Sequence, residues 1–159
     1  MGTYDVAQIC REGHVINTMA RNYPDSNEAF CSKCGSATVS ECEGCHTPIR
    51  GYYDVPGVLG GFDYDRPSYC HACGAAYLWT ASALAAAADL ADEIGGLSAE
   101  EREQLKATFP DLLRDTARTQ GAALRFRRLV AKAGKGAGDA FRSVLVEVVA
   151  EGAKKALWP

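Results

Sequence analysis

No stretch of this 159-residue chain approaches the ~18 consecutive apolar residues that a membrane-spanning helix requires. The longest candidate, Leu78 to Ala88, is mostly alanine and stops at Asp89, which excludes a transmembrane helix on sequence grounds. The opening residues Met1-Gly2-Thr3-Tyr4-Asp5 have neither a basic stretch nor an apolar core, and Val6 stands where a myristoylation signal needs Ser or Thr. A cytoplasmic location is therefore expected. The sequence also has no His-Glu-x-x-His, no deaminase-like His-x-Glu and no Gly-x-Ser-x-Gly, which removes the commonest hydrolytic signatures. Gly134-Lys135-Gly136-Ala137-Gly138 is not a phosphate loop: Ser or Thr does not follow the lysine, the spacing is wrong, and a helix precedes it. It reads as a hinge.

The absences are unevenly distributed. Residues 80–159 contain no cysteine and no tyrosine, while residues 1–79 show no sustained helical periodicity and hold all seven cysteines, at positions 10, 31, 34, 42, 45, 70 and 73. A boundary at Trp79-Thr80 thus separates two units, residues 1–79 and residues 80–159. The expected fold is a small metal-bound β unit of tandem zinc ribbons or knuckles followed by an all-α region.

Six of the cysteines form three Cys-x-x-Cys pairs, and in a chain expected to be cytosolic that pattern points to metal before disulfide. Structural zinc takes four thiolate or imidazole donors per ion. Seven cysteines and one histidine make eight, enough for two ions. The eighth is best found in Cys10-Arg11-Glu12-Gly13-His14, where Gly13 permits the tight turn that lets both side chains face one ion. The competing reading leaves His14 an ordinary surface histidine and Cys10 without a partner. His46 and His71 lie beside or inside pairs that already supply both donors, so they read as bystanders or as groups supporting the ligands.

An internal repeat suggests which pairs share an ion. Phe30-Cys31-Ser32-Lys33-Cys34-Gly35 matches Tyr69-Cys70-His71-Ala72-Cys73-Gly74, and each follows another ligand pair. Two successive modules follow, Cys10, His14, Cys31 and Cys34 for one ion and Cys42, Cys45, Cys70 and Cys73 for the other, with Gly35 and Gly74 at positive φ turning backbone N–H groups toward the thiolates. A cross-brace, joining first with third pair and second with fourth, is the alternative. Redox-active cysteines fit poorly, since a thioredoxin-like pair opens a helix in a βαβ unit. Iron in the four-cysteine site stays open, although the histidine-containing site favours zinc.

About 75 residues rich in glycine and turns bury little apolar surface, so the ions are expected to supply much of this half's stability. Ile49 to Val58 suits a hairpin extending the second ribbon. Tyr52, Tyr53, Phe62 and Tyr64 are available to cover the site or to form an exposed binding face.

The runs Tyr4-Asp5-Val6-Ala7-Gln8-Ile9-Cys10, Gly13-His14-Val15-Ile16-Asn17, Phe30 to Gly35, Pro48-Ile49-Arg50-Gly51-Tyr52-Tyr53 and Tyr69 to Gly74 resemble a bacterial family known only as a domain of unknown function with zinc-ribbon knuckles. The resemblance covers nearly the whole chain, including Arg125-Phe126-Arg127-Arg128-Leu129 and the end of the last helix. It implies metal binding and a cytoplasmic bacterial protein, and it brings no activity. The first half also resembles double zinc ribbons in general, whose tasks are diverse.

In the second half, Thr80 is placed to cap a helix over Ala81–Ile94, ended by Gly95-Gly96. Ser98-Ala99-Glu100-Glu101 is a capping box opening a helix toward Phe109, interrupted by Pro110, with Asp111–Thr116 continuing helical. Thr119 caps Ala122–Ala133, and a last helix runs from about Asp139 to Leu157. Its Phe141, Val144, Leu145, Val148 and Val149 form an apolar face that either completes an intramolecular bundle or pairs with a second copy.

Charge separates along the chain. Residues 1–79 carry 5 Lys/Arg against 9 Asp/Glu, and binding two Zn²⁺ through seven thiolates takes that half to about −7. Residues 80–113 carry seven acids against two bases, whereas residues 114–135 carry seven bases against Asp115 alone. This last segment is either neutralised by the acidic helices or offers a basic helix, around residues 118–135, to nucleic acid, an anionic membrane surface or an acidic partner protein. With both zinc sites closed by four protein ligands, a non-enzymatic interaction or adaptor role is the leading expectation.

Overall fold

A computed structural model describes residues 1–60 and 63–159. Phe62, grouped above with the tyrosines, lies outside the described residues. The chain divides into two compact units, Met1–Ala81 and Ser82–Pro159. The division falls inside the first helix and not at Trp79-Thr80.

The first unit is built from short strands and turns. β1 (Thr3–Val6) pairs antiparallel with β5 (Arg50–Asp54), and β2 (Gln8–Cys10) lies between β3 (Val15–Asn17) and β4 (Thr38–Val39) in a second, antiparallel sheet. The hairpin expected over Ile49–Val58 does not form. That segment supplies one strand, and its partner is the distant N-terminus: Tyr4 faces Tyr53 and Val6 faces Arg50. Gly51 makes this approach possible, because a Cβ there would collide with the carbonyl oxygen of Thr18 and come within 2.7 Å of the Val6 carbonyl carbon. Local propensity cannot reveal a contact whose requirement is the missing side chain.

Buried polar groups tie the turns to the strands. The Asp5 carboxylate accepts from the amides of Val6 (2.6 Å), Arg21 (3.0 Å) and Asn22 (3.3 Å). Gln8 donates to the Thr38 hydroxyl (3.1 Å) and accepts from the Glu28 amide (2.9 Å). Burying such groups is tolerable only when they are paired. The small core holds Ala7, Ile9, Cys42, Ile49, Cys70, Tyr77 and Trp79.

The second unit is helical. α1 (Leu78–Glu93) begins two residues before Thr80, whose hydroxyl donates to the Ser68 carbonyl (2.8 Å) instead of capping the helix. α2 (Ala99–Leu112) opens with the expected capping box: Ser98 Oγ accepts from the Glu101 amide (3.1 Å) and Glu101 accepts from the Ser98 amide (2.9 Å). Pro110 does not interrupt α2. It sits in the last turn, so the one i→i−4 bond it cannot make, to the Lys106 carbonyl, falls at the end of the helix, which stops at Leu112 without continuing to Thr116. α3 (Thr119–Ala133) starts three residues earlier than expected. Thr119 is its first residue, accepting from the Thr116 amide and donating to the Arg114 carbonyl, so it closes the preceding turn.

The single last helix is in fact two, α4 (Ala137–Leu145) and α5 (Glu151–Leu157). The break carries neither glycine nor proline. It falls in a valine-rich run of low helix propensity, and the Ala150 amide donates to the Leu112 carbonyl (2.9 Å). The apolar face is spent within the unit: Phe141, Leu145, Val148 and Val149 are buried, and Phe141 meets Phe126 edge-on with centroids 5.4 Å apart. Among the described residues, no helix is long and apolar enough to cross a membrane.

Candidate metal centres

All four ligand pairs sit on tight turns closed by backbone bonds. At Cys31, Cys42 and Cys70 the pattern is identical: the cysteine amide donates to the carbonyl five residues on (2.8, 2.9 and 2.8 Å), and the amide four residues on donates back to the cysteine carbonyl. That fourth residue adopts positive φ. It is Gly35 (74°) and Gly74 (74°) in two knuckles and His46 (59°) in the third. His46 is therefore a turn residue in an unfavourable conformation for a side chain, held by Glu41 at 2.9 Å, and does not join either group of ligands. The Cys10 turn is tighter, with the Cys10 amide donating to the His14 carbonyl (3.0 Å) and the Gly13 amide to the Cys10 carbonyl (2.9 Å).

The turns bring the eight residues together as two groups of four, Cys10, His14, Cys31 and Cys34, and Cys42, Cys45, Cys70 and Cys73, with donor atoms within 4.8 Å of one another in each. This is the sequential arrangement; the cross-braced one is absent. Cys10 Sγ lies 3.4 Å from His14 Nδ1 and 3.7 Å from Cys34 Sγ, and Cys31 Sγ lies 3.6 Å from the same nitrogen. In the second group Cys42–Cys73 and Cys45–Cys70 are each 3.7 Å apart.

These lengths discriminate between chemistries. A disulfide needs about 2.05 Å between sulfurs, and all seven cysteines are free. A tetrahedron with metal–sulfur bonds of about 2.3 Å and metal–nitrogen bonds of about 2.0–2.1 Å has edges of about 3.8 Å (S to S) and about 3.5 Å (S to N). The five short separations match those edges and every other pair lies within 4.8 Å, so the residues present fit a four-coordinate ion held by Sγ atoms and, in the first group, His14 Nδ1.

Backbone and hydroxyl groups prepare the sulfurs for the thiolate form that metals require. The amides of His14, Lys33 and Ala72 donate to Cys10, Cys31 and Cys70 at 3.2, 3.4 and 3.4 Å. Ser36, through side chain and backbone, holds the Cys34 thiol down at about 6, and the amides of Cys73 and Ala72 do the same for Cys70. The Thr47 hydroxyl, 3.2 Å from Cys45 Sγ, lowers that thiol too. The Ala75 amide lowers Cys73, but the crowding sulfurs of Cys45, Cys42 and Cys70 together with burial prevail and push it up to about 11. Burial raises Cys10. Four sulfurs this close cannot all ionise unless a cation joins them.

Two groups around the first site are invisible in motif spacing. The Arg66 guanidinium donates to the Gly13 carbonyl and lies 5.7 Å over the Trp79 ring, while Trp79 Nε1 donates to the Pro67 carbonyl (2.9 Å). A Cβ on Gly13, whose φ is 96°, would stand 2.8 Å from Trp79 Cβ. Gly13 is thus required twice, for its turn and for this packing. Only a pairing across more than fifty residues produces it.

No curated protein and no solved structure matches the chain. The family model described as an uncharacterized protein conserved in bacteria (DUF2321) matches residues 3–157. Spanning nearly the whole length, that match shows that the chain belongs to this bacterial family of unknown function.

Proposed function

We propose that the chain holds two zinc ions in closed structural sites and works without catalysis as an interaction or adaptor module. The observation that carries this reading is the pair of four-donor groups with tetrahedral edge lengths. Four protein donors per ion leave no position for substrate or activated water, the arrangement of structural zinc rather than catalytic zinc. Imidazole in the first site favours zinc over iron. The docking element is the outer face of α3. There Arg125, Arg127 and Arg128 are exposed, make no ion pair or hydrogen bond among the described residues, and flank the exposed Leu124. Arg118 and Lys132 are neutralised internally by Asp111 and Glu101, so the compensation expected of the acidic helices is partial. A cationic face with an apolar centre suits an acidic protein partner.

Native mass spectrometry with elemental analysis tests the metal reading: two zinc ions per chain are expected, and one ion, or iron, overturns it. The same spectrum reports subunit number. Affinity capture with the parent chain and with Arg125, Arg127 and Arg128 changed to Gln tests the adaptor reading, which requires an acidic partner retained only by the parent.

The same arginines support a second reading, binding of nucleic acid or an anionic membrane surface. It predicts binding to duplex or single-stranded nucleic acid that weakens steeply with salt, or co-sedimentation with phosphatidylserine vesicles, each abolished by the triple substitution. An adaptor shows neither.

A further inference from the structure

The β1–β5 pair carries a cavity that the metal chemistry does not use. It encloses about 300 Å³ and is lined by four tyrosines, Tyr4, Tyr52, Tyr53 and Tyr64, and two carboxylates, Asp63 and Asp65. That volume is at the lower end of small-ligand pockets, about 300–1,000 Å³. A strand irregularity assembles the rings. Between the Tyr4↔Tyr53 and Val6↔Arg50 pairs the register slips, two steps along β1 matching three along β5. Such a bulge turns Arg50 onto the face that carries Tyr53. Tyr4 and Tyr53 then meet with centroids 4.9 Å apart at 55°, and the Arg50 guanidinium lies 4.7 Å over the Tyr4 ring.

We propose that this pocket is a receptor for an organic cation, the trimethylammonium head of a small molecule or of a methylated lysine side chain. Ring faces attract cations through their quadrupoles, and Arg50 over Tyr4 is an internal instance at this very surface. Asp63 and Asp65 are exposed and have no hydrogen-bonding or ionic partner among the described residues, so the charge balance of the lining is negative even with Arg50 counted. Tyr64 adds a ring and no charge, since its hydroxyl donates to the Arg50 carbonyl (2.7 Å) and burial pushes its phenol above the ordinary range. A bulky alkylated ammonium is weakly hydrated and needs no hydrogen-bond acceptors, which suits a lining of rings with carboxylates at its edge.

The test is an NMR titration of the metal-loaded chain with choline, with a short peptide containing trimethyl-lysine, and with 3,3-dimethylbutan-1-ol, the uncharged isostere of choline. Saturable shifts confined to Tyr4, Tyr52, Tyr53, Asp63 and Asp65 are expected with a trimethylammonium probe, the tighter of the two naming the source. The isostere should bind roughly tenfold more weakly or not at all, and D63N/D65N should weaken choline to a similar degree. Absence of shifts with both cations, equal binding of the isostere, or indifference to D63N/D65N overturns the proposal. Should the double variant fail to fold, the comparison of choline with its isostere on the unaltered chain decides. The zinc reading stands or falls separately, by metal content.

Discussion

Cys10 Sγ lies 3.4 Å from His14 Nδ1, and the His14 amide donates to the same sulfur at 3.2 Å. One turn thus positions both donors and begins to stabilise the thiolate, which makes His14 the residue on which the first site depends. His14→Ala should leave one tightly held ion per chain by native mass spectrometry after mild chelation, whereas His14→Cys, completing a four-cysteine site, should keep two. Two chelator-resistant ions in His14→Ala would remove His14 from the ligand set.

The core cluster of the first unit is small, and two of its seven buried residues are the ligands Cys42 and Cys70. Metal removal should therefore unfold Met1–Ala81 while Ser82–Pro159 keeps its helices, because the latter has its own core around Leu105, Phe109, Phe126 and Phe141. Acid and chelator treatment should expose Trp79, seen as a red-shifted emission, with most helical circular dichroism retained. Loss of the helical signal in parallel would refute independent stability.

Phe109, Phe126 and Phe141 form a triangle with centroid separations of 5.4–6.3 Å. Phe141 is fully buried, so Phe141→Ala should cost about 3–5 kcal/mol in urea unfolding followed by helical signal, by lost transfer energy and the cavity left behind. Metal content should not change. A cost below about 1 kcal/mol would mean that the three rings are not the centre of this core.

His46 occupies the positive-φ position that Gly35 and Gly74 fill elsewhere, and its pairing with Glu41 is exposed. His46→Gly exchanges side-chain strain and a weak surface pair for backbone entropy, so stability should stay within about 1 kcal/mol of the parent. Both ions should remain. Loss of an ion would make His46 a ligand, against the grouping observed.

The Lys132 ammonium and the Ser98 amide hold the Glu101 carboxyl below its ordinary range. A depressed folded pKa stabilises fully above the unfolded value, about 4.3, and that contribution disappears as pH falls through the folded value. Glu101→Gln keeps the cap and removes the charge. Its urea midpoint, read by helical signal, should fall below the parent's at pH 7 and converge with it near pH 3. A constant gap would show that charge is not responsible.

Legibility followed sequence distance. Each Cys-x-x-Cys is a local device, and the aromatic-knuckle-glycine repeat at Phe30–Gly35 and Tyr69–Gly74 names the equivalent halves of two modules, so the sequential grouping is legible in the sequence. The Ser98 capping box was readable for the same reason, since three residues contain the whole motif. Thr80 and Thr119 look like caps by composition, but their hydroxyls are claimed by the carbonyls of Ser68 and Arg114. A side chain with two feasible partners chooses by what folding brings near.

The sequence alone determined the donor types, their number, the turn spacing that pairs them and the change from a cysteine-rich to a helical unit, because these depend on local stereochemistry and composition. Tertiary structure decided the rest: β5 taking β1 as its partner over Gly51, Arg66 and Trp79 closing on Gly13, the break between α4 and α5, and the tyrosine pocket made by a strand bulge. Each of these joins residues far apart in the chain, where no spacing rule applies and the outcome is set by which groups are buried together and must be satisfied there.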